Sequence, residues 1–111
     1  MLASTPVASD MSALKGLSLD EKSAALIVGL GKTGYSIARF MAAQGIRFAV
    51  TDTREVPPFI NELREEFPDA AVFFGGFQKS SFEAATHLIV SPGVSLNEPL
   101  IQLSARRGIP V

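Results

Sequence analysis

The chain has 111 residues, 47% of them hydrophobic and 19% charged, and a net charge of −1. That is enough chain for one domain with a core of its own, too apolar for a disordered segment, and too near neutrality for a general nucleic-acid or membrane surface. The absence of cysteine excludes disulfides, thiolate nucleophiles and cysteine-ligated zinc, and the single histidine, His87, cannot build a histidine-rich metal site.

Residues 1–24 are rich in Ser, Ala and Pro and hold no apolar run long enough for a signal sequence or a membrane span. They read as a loose leader with a short helix near Leu19–Ser23, and a cytoplasmic location follows as the default. The domain proper is expected over 25–111. Its first strand is Ala25–Leu30, and the turn after it carries Gly29-Leu30-Gly31-Lys32-Thr33-Gly34. A helix from Thr33 to Gln44 follows, with Ile37, Phe40 and Met41 as its apolar stripe and Gly45 as its stop.

Strand two is Arg47–Thr51, ending in Asp52. Pro57-Pro58 breaks the chain, and Pro58 suits the first turn of a helix over Phe59–Glu66, whose Glu62, Glu65 and Glu66 form its wet face. Strand three is Ala70–Phe74, closed by Gly75-Gly76, and Phe73, Phe74 and Phe77 read as core and sheet edge. A helical turn over Ser80–Ala84 takes Ser80 as its N-cap. Strand four is His87–Val90, ending in Ser91-Pro92-Gly93, and a last helix over Glu98–Arg107 stops at Gly108. Ile109-Pro110-Val111 reads as the opening of a fifth strand.

Strands that alternate with helices, and that are continuous apolar runs, specify a parallel sheet covered on both faces. Right-handed crossovers then give a Rossmann-like α/β fold of about five strands in the order 3-2-1-4-5. Ligands of such sheets sit beyond the carboxyl ends of the strands where the order reverses. Here that crevice is expected between strands one and four, lined by Gly31–Thr33, Asp52–Arg54 and Ser91–Gly93.

The glycine turn sits between a strand and an amphipathic helix and is followed by an acid at the end of strand two, the context a nucleotide-binding fingerprint requires. Gly29 allows the tight turn, Gly31 lets a phosphate approach bare backbone, and Gly34 lets the helix pack closely. Gly31-Lys32-Thr33 also imitates the end of an ATP-binding P-loop, but Leu26 stands where that loop needs its first glycine.

Arg54 either forks onto a phosphate or stacks on a base, or it pairs with Asp52 or Glu55. Asp52 either accepts a ribose hydroxyl or caps its own loop, and Thr53 faces a base edge or a turn. Ser91-Pro92-Gly93 either presents an amide to a second phosphate or is an ordinary turn. Lys32 either neutralises phosphate charge or is solvated. His87 has no nameable partner for proton transfer and reads as packing or solvent-facing.

Together, Val28–Gly34, Thr51-Asp52-Thr53-Arg54 followed by Pro57-Pro58, and Val90-Ser91-Pro92-Gly93 resemble the amino-terminal domain of the D-glutamate-adding Mur ligases, over residues 24 to 111. The resemblance implies a piece of a monomeric, cytoplasmic three-domain ligase of peptidoglycan synthesis. It also implies UDP-N-acetylmuramoyl-L-alanine as the partner, with neither nucleic acid nor membrane.

On that resemblance Gly31, Lys32, Thr33 and Gly34 hold the diphosphate together with Ser91, Pro92 and Gly93, while Asp52, Thr53 and Arg54 surround the uridine. No catalytic residue and no cofactor are expected in this chain, because ATP and magnesium belong to the family's middle domain. The rival readings are an NAD-binding dehydrogenase domain, with Asp52 on the adenosine ribose, and a non-enzymatic nucleotide-sensing domain. The fold is common to all three.

Overall fold

The computed structural model describes residues 23–109. Four strands, β1 (Ala24–Val28), β2 (Arg47–Asp52), β3 (Ala71–Phe74) and β4 (His87–Val90), alternate with four helices, α1 (Lys32–Ala43), α2 (Ile60–Glu66), α3 (Lys79–Glu83) and α4 (Pro99–Arg106). All strand pairs are parallel and the order is β3-β2-β1-β4. β1 is therefore central, and the chain reverses its direction of winding between β1 and β4, which opens a crevice at their carboxyl ends.

Successive residues of each strand face opposite sides, so the apolar runs feed two cores. Ala25, Ile27, Val50 and Ile89 pack under Ile37, Ala38 and Met41 of α1 and Ile60 and Leu63 of α2. Leu26, Val28 and Leu88 pack under Phe82 of α3, Ala85 and Ile101 of α4. Ile27 is fully buried, with Val50 and Ile89 beside it in register. Truncating it to alanine costs about 2–5 kcal/mol, a large share of the stability of a domain this size.

Two helices end as their glycines specify. At the end of α1, Gly45 adopts φ +72° and the amides of Gly45 and Ile46 bond back to Ala42 and Met41. Gly108 and Ile109 repeat the arrangement on Ala105 and Ser104. Both are Schellman closures, which satisfy carbonyls the helix leaves open.

Elsewhere the boundaries move. β1 begins at Ala24, one residue inside the expected leader. Pro58 does not open α2; it lies in a turn before it, and the N-cap is Phe59 at φ +67°, a left-handed conformation that costs a non-glycine residue energy. The Phe59 ring stacks on Tyr35 of α1 at 5.5 Å, which offsets part of that cost. The proline in a first helical turn is Pro99, in α4.

Ser80 is not an N-cap either. α3 starts one residue earlier at Lys79, Gln78 takes the cap position, and the Ser81 hydroxyl donates to the Gln78 carbonyl at 2.8 Å. The described sheet has four strands: Ile109 pairs with none, and the rest of the expected fifth strand, like most of the expected helix at Leu19–Ser23, lies outside the described residues.

Candidate functional site

The turn after β1 is shaped by two glycines with no room for a side chain. A Cβ on Gly29 would stand 2.9 Å from Val94 and 3.1 Å from Ser91, and φ there is +99°. A Cβ on Gly34 would collide with the carbonyl of Gly29. Gly31 is different: nothing lies within 4 Å of where its Cβ would be, so its surface faces open space that a ligand can enter. Gly31 is also the N-cap of α1 and lends no side chain to the helix end. The first amides of α1, at Lys32, Thr33 and Gly34, have no partner within the helix, and the first to bond back is Tyr35, to the Gly31 carbonyl at 2.9 Å. Bare amides and the dipole of a twelve-residue helix give this end a positive potential, which favours negative charge.

The loop after β4 is tied to this turn. The Ser91 amide donates to Val28 at 2.9 Å, and its buried hydroxyl donates to the carbonyl of Gly29 at 2.8 Å. Ser91 thus joins the crevice walls with its own side chain and leaves Pro92 and Gly93 exposed at the rim. Its hydroxyl is spent on the protein.

The loop after β2 turns Asp52 inward. Its side chain is 4% exposed and accepts four hydrogen bonds: Oδ2 from the Leu30 amide at 2.8 Å and Arg54 Nη2 at 2.7 Å, Oδ1 from the Arg54 amide and Nε, both at 2.9 Å. Burial pushes the carboxyl pKa up, but the Arg54 guanidinium and the two amides outweigh it and hold Asp52 below the usual carboxylate range. The same hydrogen bond raises Arg54 above its ordinary value. Of the alternatives open from sequence, Asp52 caps its loop, and Arg54 pairs with Asp52, not Glu55. Thr53 and Lys32 are exposed.

These loops enclose a hollow of about 380 Å³ that all ten predicted site residues line: Gly31, Lys32, Thr33, Gly34, Asp52, Thr53, Arg54, Ser91, Pro92 and Gly93. Gly29, Phe77 and Val94 complete it. The sequence places Phe77 in core and sheet edge. It does pack edge-on against Phe82, at 5.6 Å between centroids, but its half-buried ring also walls the crevice. The amide of Gly75 donates to the carbonyls of Asp52 and Arg54, both at 3.1 Å, and so brings the loop after β3 to the ligand end. That loop follows a parallel strand, so the strand direction alone was the available signal.

A larger hollow of about 720 Å³ lies towards the amino ends of the strands, lined mainly by alanines, Phe48, Phe67, Pro68 and Phe73. Arg47, Glu66, Asp69, Ser80 and Ser81 also line it, and its lining is more apolar than that of the smaller hollow. His87 sits at the start of β4, its Nδ1 2.8 Å from the Thr86 hydroxyl and remote from the crevice. Among the described residues no group of three His, Cys, Asp or Glu side chains is placed to hold a metal ion, and no helix is long and apolar enough to cross a membrane.

Comparison with known proteins shows the family. The family model described as Mur ligase MurD-like, N-terminal domain, matches residues 23–111. A protein of Methylococcus capsulatus named UDP-N-acetylmuramoylalanine--D-glutamate ligase is 47% identical over 95 residues, covering 86% of this chain and 21% of the relative. Proteins of the same name from Nitrosococcus oceani and Pseudomonas putida are 50% and 45% identical over 78% and 76% of the chain, and 19% of each relative is covered. The chain spans about a fifth of the length of these relatives. It belongs to the MurD-like N-terminal domain family of the Mur ligases.

Proposed function

We propose that this domain holds the UDP end of UDP-N-acetylmuramoyl-L-alanine for a D-glutamate-adding ligase of peptidoglycan synthesis in the cytoplasm. The observation that carries the reading is the convergence of three sequence-distant loops on one hollow, with bare helix amides on one wall and a fixed guanidinium on another. A diphosphate suits the amides of Lys32–Gly34 and the Gly93 amide at the rim, since the Ser91 amide is bonded to Val28 and Pro92 has none, and uridine suits the Thr53–Arg54 and Phe77 side. The relatives' names support the substrate class.

On this reading the domain that begins with β1 at Ala24 is the first of three, and the residues before it are a leader. In the whole ligase a middle domain would hold ATP with magnesium, and transfer of the terminal phosphoryl group to the L-alanyl carboxylate, with ADP leaving, would give an acyl phosphate. The amine of D-glutamate then attacks that carbonyl and phosphate leaves. The residues of this chain recognise; they do not catalyse. The isolated 111-residue chain is accordingly expected to show no ATP turnover, and turnover that survives purification and responds to D-glutamate would overturn that part.

The test of the ligand is a side-by-side titration with UDP, NAD and ATP followed by amide chemical shifts. UDP is expected to bind most tightly, at millimolar to high-micromolar affinity (about 4–6 kcal/mol). The shifted amides should be those of Gly31–Gly34, Asp52–Arg54 and Ser91–Gly93. Tighter binding of NAD than of UDP would favour the dehydrogenase reading instead.

A further inference from the structure

We propose that Asp52 is a positioning residue, which makes no contact with the ligand and acts on it through Arg54. The inference rests on the nucleotide-binding reading above. An acid at the end of β2 in a dinucleotide-binding sheet accepts hydrogen bonds from a ribose. Asp52 has nothing left to accept with. A carboxylate offers about four lone-pair sites, and in Asp52 each oxygen already takes two donors within 2.9 Å. A ribose hydroxyl would have to displace the guanidinium or an amide of the protein, and the residue is 3% exposed.

What the carboxylate does hold is the geometry of two loops. The Leu30 amide is the last before Gly31, so fixing it sets the direction in which the turn enters α1. Arg54 is gripped through Nε and Nη2, and Nη2 also approaches the Leu30 carbonyl at 3.5 Å. Its Nη1 edge makes no hydrogen bond within the described residues, and the side chain remains 54% exposed in the crevice wall. A planar cation whose orientation is fixed before the ligand arrives loses less freedom on binding than a mobile one. The site therefore reads a uridine nucleotide through Arg54. The ribose 2′-hydroxyl goes unread by any carboxylate, since among the described residues Asp52 is the only one lining the hollow.

The experiment compares UDP with 2′-deoxyuridine diphosphate on the 111-residue chain, in wild type, Asp52→Asn, Arg54→Ala and the double variant. Wild type is expected to bind the two nucleotides within about two-fold, because no charge-assisted bond to the 2′-hydroxyl is lost. Asp52→Asn should weaken both by the same factor, about ten-fold, and add little further loss once Arg54 is alanine. A deoxy penalty of about ten-fold or more in wild type that Asp52→Asn abolishes would mark the Asp52 carboxylate on the ribose and overturn the proposal. So would losses from Asp52→Asn and Arg54→Ala that multiply in full. If Asp52→Asn does not fold, Asp52→Glu takes its place in the same comparison. If NAD proves the tighter ligand, the proposed function fails separately. The same two-residue cycle is then run with NAD, and multiplying losses there refute the positioning role on their own.

Discussion

Ser91 and Gly29 stand 62 residues apart in sequence, and the hydroxyl of the first donates to the carbonyl of the second at 2.8 Å in a buried contact. The same carbonyl is the atom a side chain at position 34 would strike. One peptide group thus sets the width of the crevice from both sides, with β4's loop bonded to it and α1 packed against it.

Ser91→Ala is expected to cost about 1–3 kcal/mol in a denaturant titration, since the Gly29 carbonyl loses a buried partner. Gly34→Ala should cost more, because its obstacle is backbone that cannot step aside. If Gly34→Ala melts with the wild type, the close approach of α1 to the turn is not as described.

Arg54→Ala should weaken UDP by roughly 1.5–3 kcal/mol, or about 10- to 150-fold, and Arg54→Lys should recover only part of that, since charge remains without the planar fork. Folding suffers as well. The buried Asp52 keeps only its two amide donors, a loss of about 1 kcal/mol after allowing for the half-exposed guanidinium. Arg39→Ala is the control. Arg39 sits on α1 beside Glu66 at 3.4 Å and over the Tyr35 ring, away from the crevice, and its loss should leave UDP binding within about 0.5 kcal/mol of wild type. Equal effects of the two alanines on binding would remove Arg54 from the site.

Acid should find Asp52. Its carboxyl pKa is lower in the folded chain than the roughly 3.9 of an unfolded one, so its ionised form stabilises the fold at neutral pH. That contribution is complete above the unfolded value and is lost as pH falls through the folded one. Unfolding free energy measured from about pH 6 down to 2 should fall below about pH 4, and Asp52→Asn should flatten that part of the profile. An unchanged slope in the variant would assign the acid sensitivity to other carboxylates.

Phe77→Ala is expected to weaken UDP while leaving inorganic diphosphate little changed, because an aromatic wall contacts a base or sugar and not a phosphate. Phe77→Leu, which keeps an apolar wall, should lose less. The measurement is a pair of isothermal titrations for each variant. A matching loss for diphosphate would mean that Phe77 acts only by supporting α3 through its contact with Phe82.

The alternation of apolar runs with amphipathic stretches, punctuated by Gly29, Gly31, Gly34, Gly45 and Gly108, determined the parallel fold, the strand order as far as β4, and the place of the crevice. Those are local properties: periodicity decides which face is buried, and a glycine's allowed backbone decides where a helix stops. All ten predicted residues line one hollow because the ends of parallel strands converge by topology, whatever their side chains do. What the side chains do was decided only by the packed structure. Asp52 could serve a ribose or its own loop, and the nearness of the Leu30 amide and Arg54 settled it inward. The turn at Ser91 could present its amide to a phosphate, but the Val28 carbonyl takes the Ser91 amide and the Gly29 carbonyl its hydroxyl. Phe77 entered the crevice because Gly75 is bonded to the Asp52 and Arg54 carbonyls, and Phe59 took a left-handed backbone with its ring stacked on Tyr35. Each of these outcomes depends on a partner more than twenty residues away in sequence or on a choice between two equally local bonds, and neither periodicity nor propensity contains that information.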